Sequence, residues 1–128
     1  MAKRLAQLSS EYKIDIDKAF FNEAYLPYLD TINRFEIFWG GAGSGKSAFV
    51  AQKLAIQLTT MEGRNLLCLR KYAKDCRDSV FNEIRLALNK LNLIDLWQIT
   101  THPEPRMVNR INRNSIAFYG LDDVESLK

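Results

Sequence analysis

Eight consecutive residues, Gly40-Gly41-Ala42-Gly43-Ser44-Gly45-Lys46-Ser47, put four glycines, an ammonium group and a hydroxyl within one short stretch. They fit the pattern Gly-x-x-x-x-Gly-Lys-Ser/Thr in full. Glycines let the main chain bend sharply and bring its N–H groups close to a ligand. Successive N–H groups that point one way form a concave anion site. A helix opening at Gly45 would add free N–H groups and the positive end of its dipole. In such a cradle Lys46 reaches the β- and γ-phosphates of a nucleotide, and the Ser47 hydroxyl joins a magnesium shell. The chemistry indicated is the binding of Mg·ATP, with Lys46 as the catalytic cation. Gly40, Gly41, Ala42, Gly43, Ser44, Gly45, Lys46 and Ser47 are the nucleotide-binding residues.

Three elements must position that loop. Phe35-Glu36-Ile37-Phe38-Trp39 reads as a short apolar strand leading into it. Ala48 onward reads as a helix to about Thr59, with Val50, Leu54 and Leu58 repeating every four residues on a buried face. Residues 19–29 are aromatic and apolar, and Pro27 limits them to a short helix or turn. Further on, Leu66-Leu67-Cys68-Leu69 is a continuous apolar run, as in a strand buried on both faces. A second helix follows, with Val80, Phe81, Ile84, Leu88 and Leu91 on one side. Then the period changes. Trp97–Thr100 reads as a strand, and 107–111 and 115–119 read as a hairpin turning at 112–114. The expected fold class is therefore α/β of the P-loop NTPase type. Its sheet is expected to be mostly parallel with flanking helices, and a β-hairpin lies near the C-terminus. Residues 1–18 are polar and read as a flexible arm, and 19–128 as the front part of a P-loop ATPase domain.

Composition sets the outer limits. The chain has 128 residues, 47% apolar and 26% charged, the balance of a globular domain with a real core. No apolar run approaches the ~20 residues that cross a bilayer, so no membrane partner is expected. Cys68 and Cys76 are too few for a disulfide framework, which favours a reducing cytoplasm. Charge is uneven. Residues 64–113 carry ten basic against five acidic groups, whereas residues 1–63 balance at seven of each. A basic middle suits a polyanionic partner. Lone His102 has no companion that suggests a metal or an acid–base role and reads as a loop residue.

Hydrolysis also needs an acid at a strand end to hold magnesium. The strand after the loop helix ends in Arg70-Lys71, which argues against nucleotide kinases and GTPases. It suits the branch of P-loop proteins in which another strand intervenes, the branch of the motor ATPases. Asp122 and Asp123 follow the last strand. They read as a helix cap, with Glu125 completing a capping box, or alternatively as the missing acids. A helix start so close to Lys128 marks the chain as a truncated domain, the front of a longer protein.

Four segments together resemble the large subunit of tailed-phage terminase: Asn22–Pro27, Trp39–Ser47, Leu69-Arg70-Lys71 with Arg77–Phe81, and Asn114–Asp123. The resemblance spans roughly 22–128. It implies a DNA-packaging motor that hydrolyses ATP to move double-stranded DNA into a procapsid. It also implies a nuclease half that is absent here. Its implied partners are double-stranded DNA, the capsid portal and a small terminase subunit. The protein would work as a homo-oligomeric ring in the cytoplasm of a bacterial host. The resemblance places base contacts upstream of the loop, which makes Tyr25 and Tyr28 adenine candidates; an aromatic helix packed on the sheet is the alternative. Arg77 is a candidate for contacting DNA or a neighbouring subunit's nucleotide. Arg106, Arg110 and Arg113 decorate the hairpin and, with Lys71 and Lys74, would follow a phosphate backbone. Two other readings stay open. One is a helicase- or recombinase-like ATPase, whose further motifs are not found. The other is a nucleotide-binding fragment without turnover.

Overall fold

The computed structural model describes residues 21–122. The arm expected over 1–18, and Asp123, lie outside the described residues. A 3-10 helix, Glu23–Tyr28, opens the described chain. Asn22 caps it by accepting a hydrogen bond from the Ala24 N–H at 3.1 Å. The loop leads into α1, Lys46–Thr60, and then β1, Asn65–Arg70. A helical turn, Ala73–Asp75, and a π-helical stretch, Cys76–Val80, run without a break into α2, Phe81–Lys90. Strands β2 (Trp97–Thr100), β3 (Arg106–Asn109) and β4 (Ser115–Gly120) complete the fold.

The molecule is α/β, but its sheet is mixed rather than mostly parallel. The strand order is β1-β4-β3-β2. Only β1 and β4 pair in parallel, with Cys68 opposite Phe118. β3 runs antiparallel to both β4 and β2. The reason lies in the connections. β1 reaches β4 by a long crossover through α2, which permits parallel pairing, while short turns join β2, β3 and β4 and force antiparallel pairing. The hairpin is therefore not an ornament on a parallel sheet but half of the sheet itself.

A second expectation fails at the strand before the loop. Residues 35–39 are extended but pair with no strand among the described residues. Phe35, Ile37 and Trp39 are 79%, 86% and 88% exposed. Phe38 alone turns inward, edge-on to Phe49 at 5.5 Å and to Tyr28 at 6.3 Å. The apolar composition is that of a strand, yet the backbone groups that would make it one have no ladder to join among the described residues. The same gap exposes Leu67 and Leu69 of β1, which were expected to be covered on both faces. β1 is an edge strand here, and only its Leu66 and Cys68 side meets the helices.

The core forms where α1 and α2 pack on the sheet. Phe49, Ile84, Leu88, Met107 and Ile116 are fully buried there. Phe81 meets Phe118 edge-on at 5.2 Å. The predicted apolar side of α2 is correct at Phe81, Ile84, Leu88 and Leu91, with Val80 half-buried. On α1 the expected face is correct at Leu58 but not at Val50 and Leu54, which are only half-buried; the buried face is Phe49, Ala51, Gln52, Lys53, Ala55, Leu58 and Thr59. Both cysteines are buried, and burial chiefly, then the neighbouring Cys76, pushes the Cys68 thiol up to about 12. Cys68 is an inert core thiol, as its apolar run implies.

The hairpin turn is tied to the far end of α1. The Asn112 side-chain amide donates to the carbonyls of Leu58, Thr59 and Met61, and the Asn114 amide to those of Leu58 and Met61. These are the carbonyls a helix C-terminus leaves unpaired. Two side chains more than fifty residues downstream thus stop α1 and fix its tilt against the sheet.

Candidate phosphate-binding site

Local sequence explains the loop's shape. Gly43 and Gly45 have φ of 77° and 79°, a left-handed conformation that side chains resist. Gly45 is the residue before the first turn of α1, and the Phe49 N–H closes that turn on the Gly45 carbonyl at 3.0 Å. The N–H groups of the opening turn therefore face the loop's concavity with no partners inside the helix. The Ser44 N–H bonds the Gly41 carbonyl at 3.2 Å, which tightens the bend. Ser44 Oγ is buried without a partner within the loop, an orphaned hydroxyl beside the glycines.

Lys46 Nζ donates to the carbonyls of Gly40 at 2.9 Å and Gly41 at 3.3 Å. The ammonium thus lies back across its own loop. Among the described residues no carboxylate pairs with it. A cation held by neutral carbonyls can exchange them for phosphate oxygens at small cost. Lys46 and Ser47 both line an open cavity of about 350 Å³ bounded by α1, β1 and α2. The donor set fits a nucleotide phosphate tail: free N–H groups, a lysine and a hydroxyl, and no acid within the loop. It also fits a magnesium ion that takes one hydroxyl from the protein and keeps its waters and phosphate oxygens for the rest. Among the described residues no cluster of three acidic, His or Cys groups could cage a metal by itself.

The segment upstream props the loop up. The Tyr25 hydroxyl donates to the Ser44 carbonyl at 3.1 Å, and its ring stacks on Phe49 at 4.9 Å. Tyr25 is thus a strut, with one ring face already used. Tyr28 is half-exposed. Both line a second cavity of about 360 Å³ against residues 33–39. Of the adenine candidates, Tyr25 is brought against the loop, while Tyr28 meets Phe38 and the segment beside it.

Beneath them lies an ion pair that sequence reading missed. Lys53 Nζ, almost fully buried, bonds both oxygens of Glu36 at 2.9 and 2.8 Å, the Tyr28 carbonyl at 2.7 Å and the Thr31 hydroxyl at 2.8 Å. It pins the extended segment and the 3-10 helix to α1. Nothing in the spacing of Glu36 and Lys53 announces the contact. The Lys53 hydrogen bond, then that of Thr31, holds the Glu36 carboxyl below its ordinary value of 4.5. A depressed carboxylate stabilises the fold above the unfolded value and loses that contribution as pH falls through the folded one. Glu36→Gln should therefore lower the unfolding midpoint at pH 7. The gap from wild type should close as pH drops below about 4.5. A gap constant from pH 7 to pH 3 in paired thermal melts would contradict this role.

The arginines divide. Arg77 does not line the cavity that Lys46 and Ser47 share. It lines a smaller one with Ala73, Glu104 and Tyr119. Arg106 opens β3, and Arg110 and Arg113 lie in the following turn, with Arg113 in a left-handed conformation at φ 64°. None of these four is brought to the loop's cavity. Arg70, passed over as a strand end, is. Asp122 has a long-range tie that neither reading anticipated. Its Oδ1 accepts from the Ala73 N–H at 2.9 Å, at the start of a helical turn 49 residues earlier in the chain. The residues a following helix would occupy lie outside the described ones. His102 is exposed in the loop between β2 and β3, as expected.

Comparison with known proteins gives the family. Residues 32–128 match the family described as phage terminase large subunit. The terminase large subunit of Bacillus phage SPP1 is 34% identical over 89 residues, covering 70% of this chain and 21% of that protein. The chain thus spans about a fifth of that relative's length. No solved structure matches it. Among the described residues no helix is long and apolar enough to cross a membrane. With the match running through the glycine loop, β1, α2 and the hairpin, this chain belongs to the phage terminase large subunit family.

Proposed function

We propose that residues 19–128 form the nucleotide-binding front of a DNA-packaging ATPase, whose P-loop grips Mg·ATP. The observation that carries this reading is the left-handed Gly43–Gly45 bend opening directly into α1, with Lys46 resting on exchangeable carbonyls. Membership of the terminase family supports the wider activity: hydrolysis of ATP coupled to movement of double-stranded DNA into a procapsid. In this reading the backbone of Gly40 to Gly45 orients the phosphate tail, Lys46 neutralises charge on the transferred phosphoryl group, and Ser47 helps hold magnesium. Magnesium, when bound, would supply charge neutralisation across the phosphates. Tyr28, half-exposed, is the proposed contact for the base, with Tyr25 supporting the loop. The portal, a small subunit and a ring of like subunits are the partners proposed for the full-length protein, acting in the host cytoplasm.

Turnover needs an acid to complete the magnesium site, and Asp122 is engaged elsewhere. We therefore expect residues 1–128 alone to bind nucleotide with little hydrolysis. An ATPase assay on the full-length subunit, with and without double-stranded DNA, tests the activity; absence of hydrolysis in both would contradict it.

The basic set Lys71, Lys74, Arg106, Arg110 and Arg113 is proposed to follow the DNA backbone, with Arg77 at its margin. Phosphate contacts release counterions, so log affinity should fall with log salt by about 0.9 per contact. Removing Arg110 and Arg113 together should flatten that slope by roughly 2 in a fluorescence-anisotropy titration. An unchanged slope would take both off the DNA path.

A further inference from the structure

The cavity that holds Lys46 and Ser47 receives a second cation from across it. Arg70 is the last residue of β1 and lines the same space, as do Ser79 and Glu83 from the helical stretch that follows it. Its place is chemically meaningful. Ligands of α/β proteins bind beyond the carboxyl ends of parallel strands, and β1 is one of the two parallel strands here.

The side chain is steered but not satisfied. Arg70 Nη1 donates to Ser79 Oγ at 3.4 Å, and that hydroxyl in turn donates to the Asp75 carbonyl at 2.6 Å. Ser79 therefore presents a lone pair to the guanidinium and nothing stronger. No carboxylate among the described residues lies within ion-pair distance of Arg70. The β1 backbone behind it is fixed, because the Leu121 N–H bonds the Arg70 carbonyl at 2.9 Å. Two basic residues thus line a cavity with one acid, Glu83. Among the described residues neither has a charged partner, so the space favours an anion. A guanidinium offers a planar fork of donors suited to phosphate oxygens, where an ammonium is a point charge.

We propose that Arg70, positioned by Ser79, is the second phosphate-binding cation of this site, meeting the terminal phosphate of ATP from the β1 side. The inference rests on the reading of the glycine loop as a nucleotide site. It assigns the β1 side to the terminal phosphate, which Lys46 also reaches, and the loop backbone to the inner ones. Arg70 therefore discriminates ATP from ADP, whereas the loop backbone binds both.

The test is the ratio of affinities for a non-hydrolysable ATP analogue and for ADP, by calorimetry on the full-length subunit with magnesium. Loss of a charge-assisted hydrogen-bonding group should weaken the triphosphate by about 10- to 100-fold in Arg70→Gln and leave ADP within about twofold. Arg70→Lys keeps the charge and should recover part of the difference. Ser79→Ala should reduce the ratio by about threefold, which a merely structural serine would not do. Should Arg70→Gln fail to fold, the Arg70→Lys and Ser79→Ala ratios decide. An unchanged ratio in the folded variants, or equal loss of both nucleotides, overturns the role of Arg70. A wild-type protein that binds neither nucleotide overturns the loop reading first, and the Arg70 inference with it.

Discussion

Lys46→Ala in the full-length subunit is expected to cut DNA-stimulated ATP hydrolysis by about 10²- to 10³-fold, the loss typical of one preorganised charge-stabilising donor. The reason is local. Lys46 contacts only the carbonyls of Gly40 and Gly41, so its removal takes a cation from the phosphate site and little from the fold. The thermal midpoint should therefore stay close to wild type while turnover collapses. A steady-state phosphate-release assay alongside a melt separates the two effects. Full activity in Lys46→Ala, or in its DNA-packaging extract, would remove Lys46 from the chemistry. Loss of activity with an equal loss of fold would make it a structural residue instead.

The second large effect is expected far from the loop, at Gly120→Ala. A methyl group there would run into the Ala73 N and Cα atoms and the Asp122 carboxylate. The chain closes on itself at this point. The Leu121 N–H bonds the Arg70 carbonyl, the Asp122 N–H bonds the Lys71 carbonyl, and the Asp122 side chain caps Ala73. Backbone atoms cannot yield as a side-chain tip does. The cost combines overpacking with loss of the cap, about 3 kcal/mol together. For a domain of this size that is roughly 10 °C in Tm. Trp97, buried in the core and bonded to the Thr59 hydroxyl at 3.1 Å, is a natural fluorescence probe of that transition. A Gly120→Ala protein that unfolds at the wild-type denaturant midpoint would show that β4 and the Ala73 turn do not approach so closely. Because Arg70 and Lys71 are the residues clasped, the same substitution should also disturb the proposed triphosphate contact.

What was legible in the chain, and what was not, follows from range. The loop declares itself because its chemistry is carried by neighbours in sequence: glycines where φ is positive, then a lysine and a serine at the head of a helix. The apolar side of α2 and the two hairpin strands are equally local, and the structure follows them, though β3 ends at Asn109, two residues short of the expected 111. The mixed sheet was missed because parallel or antiparallel pairing depends on which strands meet. The strand-like residues 35–39 found no ladder among the described residues, and periodicity says nothing about partners. The bond from Ala73 to Asp122 leaves no local trace because the two are 49 residues apart. The Lys53–Glu36 pair and the Asn112 and Asn114 amides escaped notice for the same reason. Arg70 read as the polar end of an apolar run. Only the shared cavity shows that it faces Lys46 and Ser47.

The division has a consequence for the proposed motor. The phosphate grip proposed for the loop draws on consecutive residues, while the loop's orientation depends on long-range ties: Tyr25 under Ser44, Lys53 to the segment 35–39, and the hairpin amides at the end of α1. The basic hairpin turn is thus joined directly to the helix whose other end carries Lys46 and Ser47.

The most direct test of the central claim is isothermal titration of Mg·ATP into the full-length subunit and into its Lys46→Ala variant. A saturable heat in the first that vanishes in the second is the predicted result. No heat from well-folded wild-type protein, or the same heat from both, would contradict the assignment of residues 40–47 as the phosphate cradle.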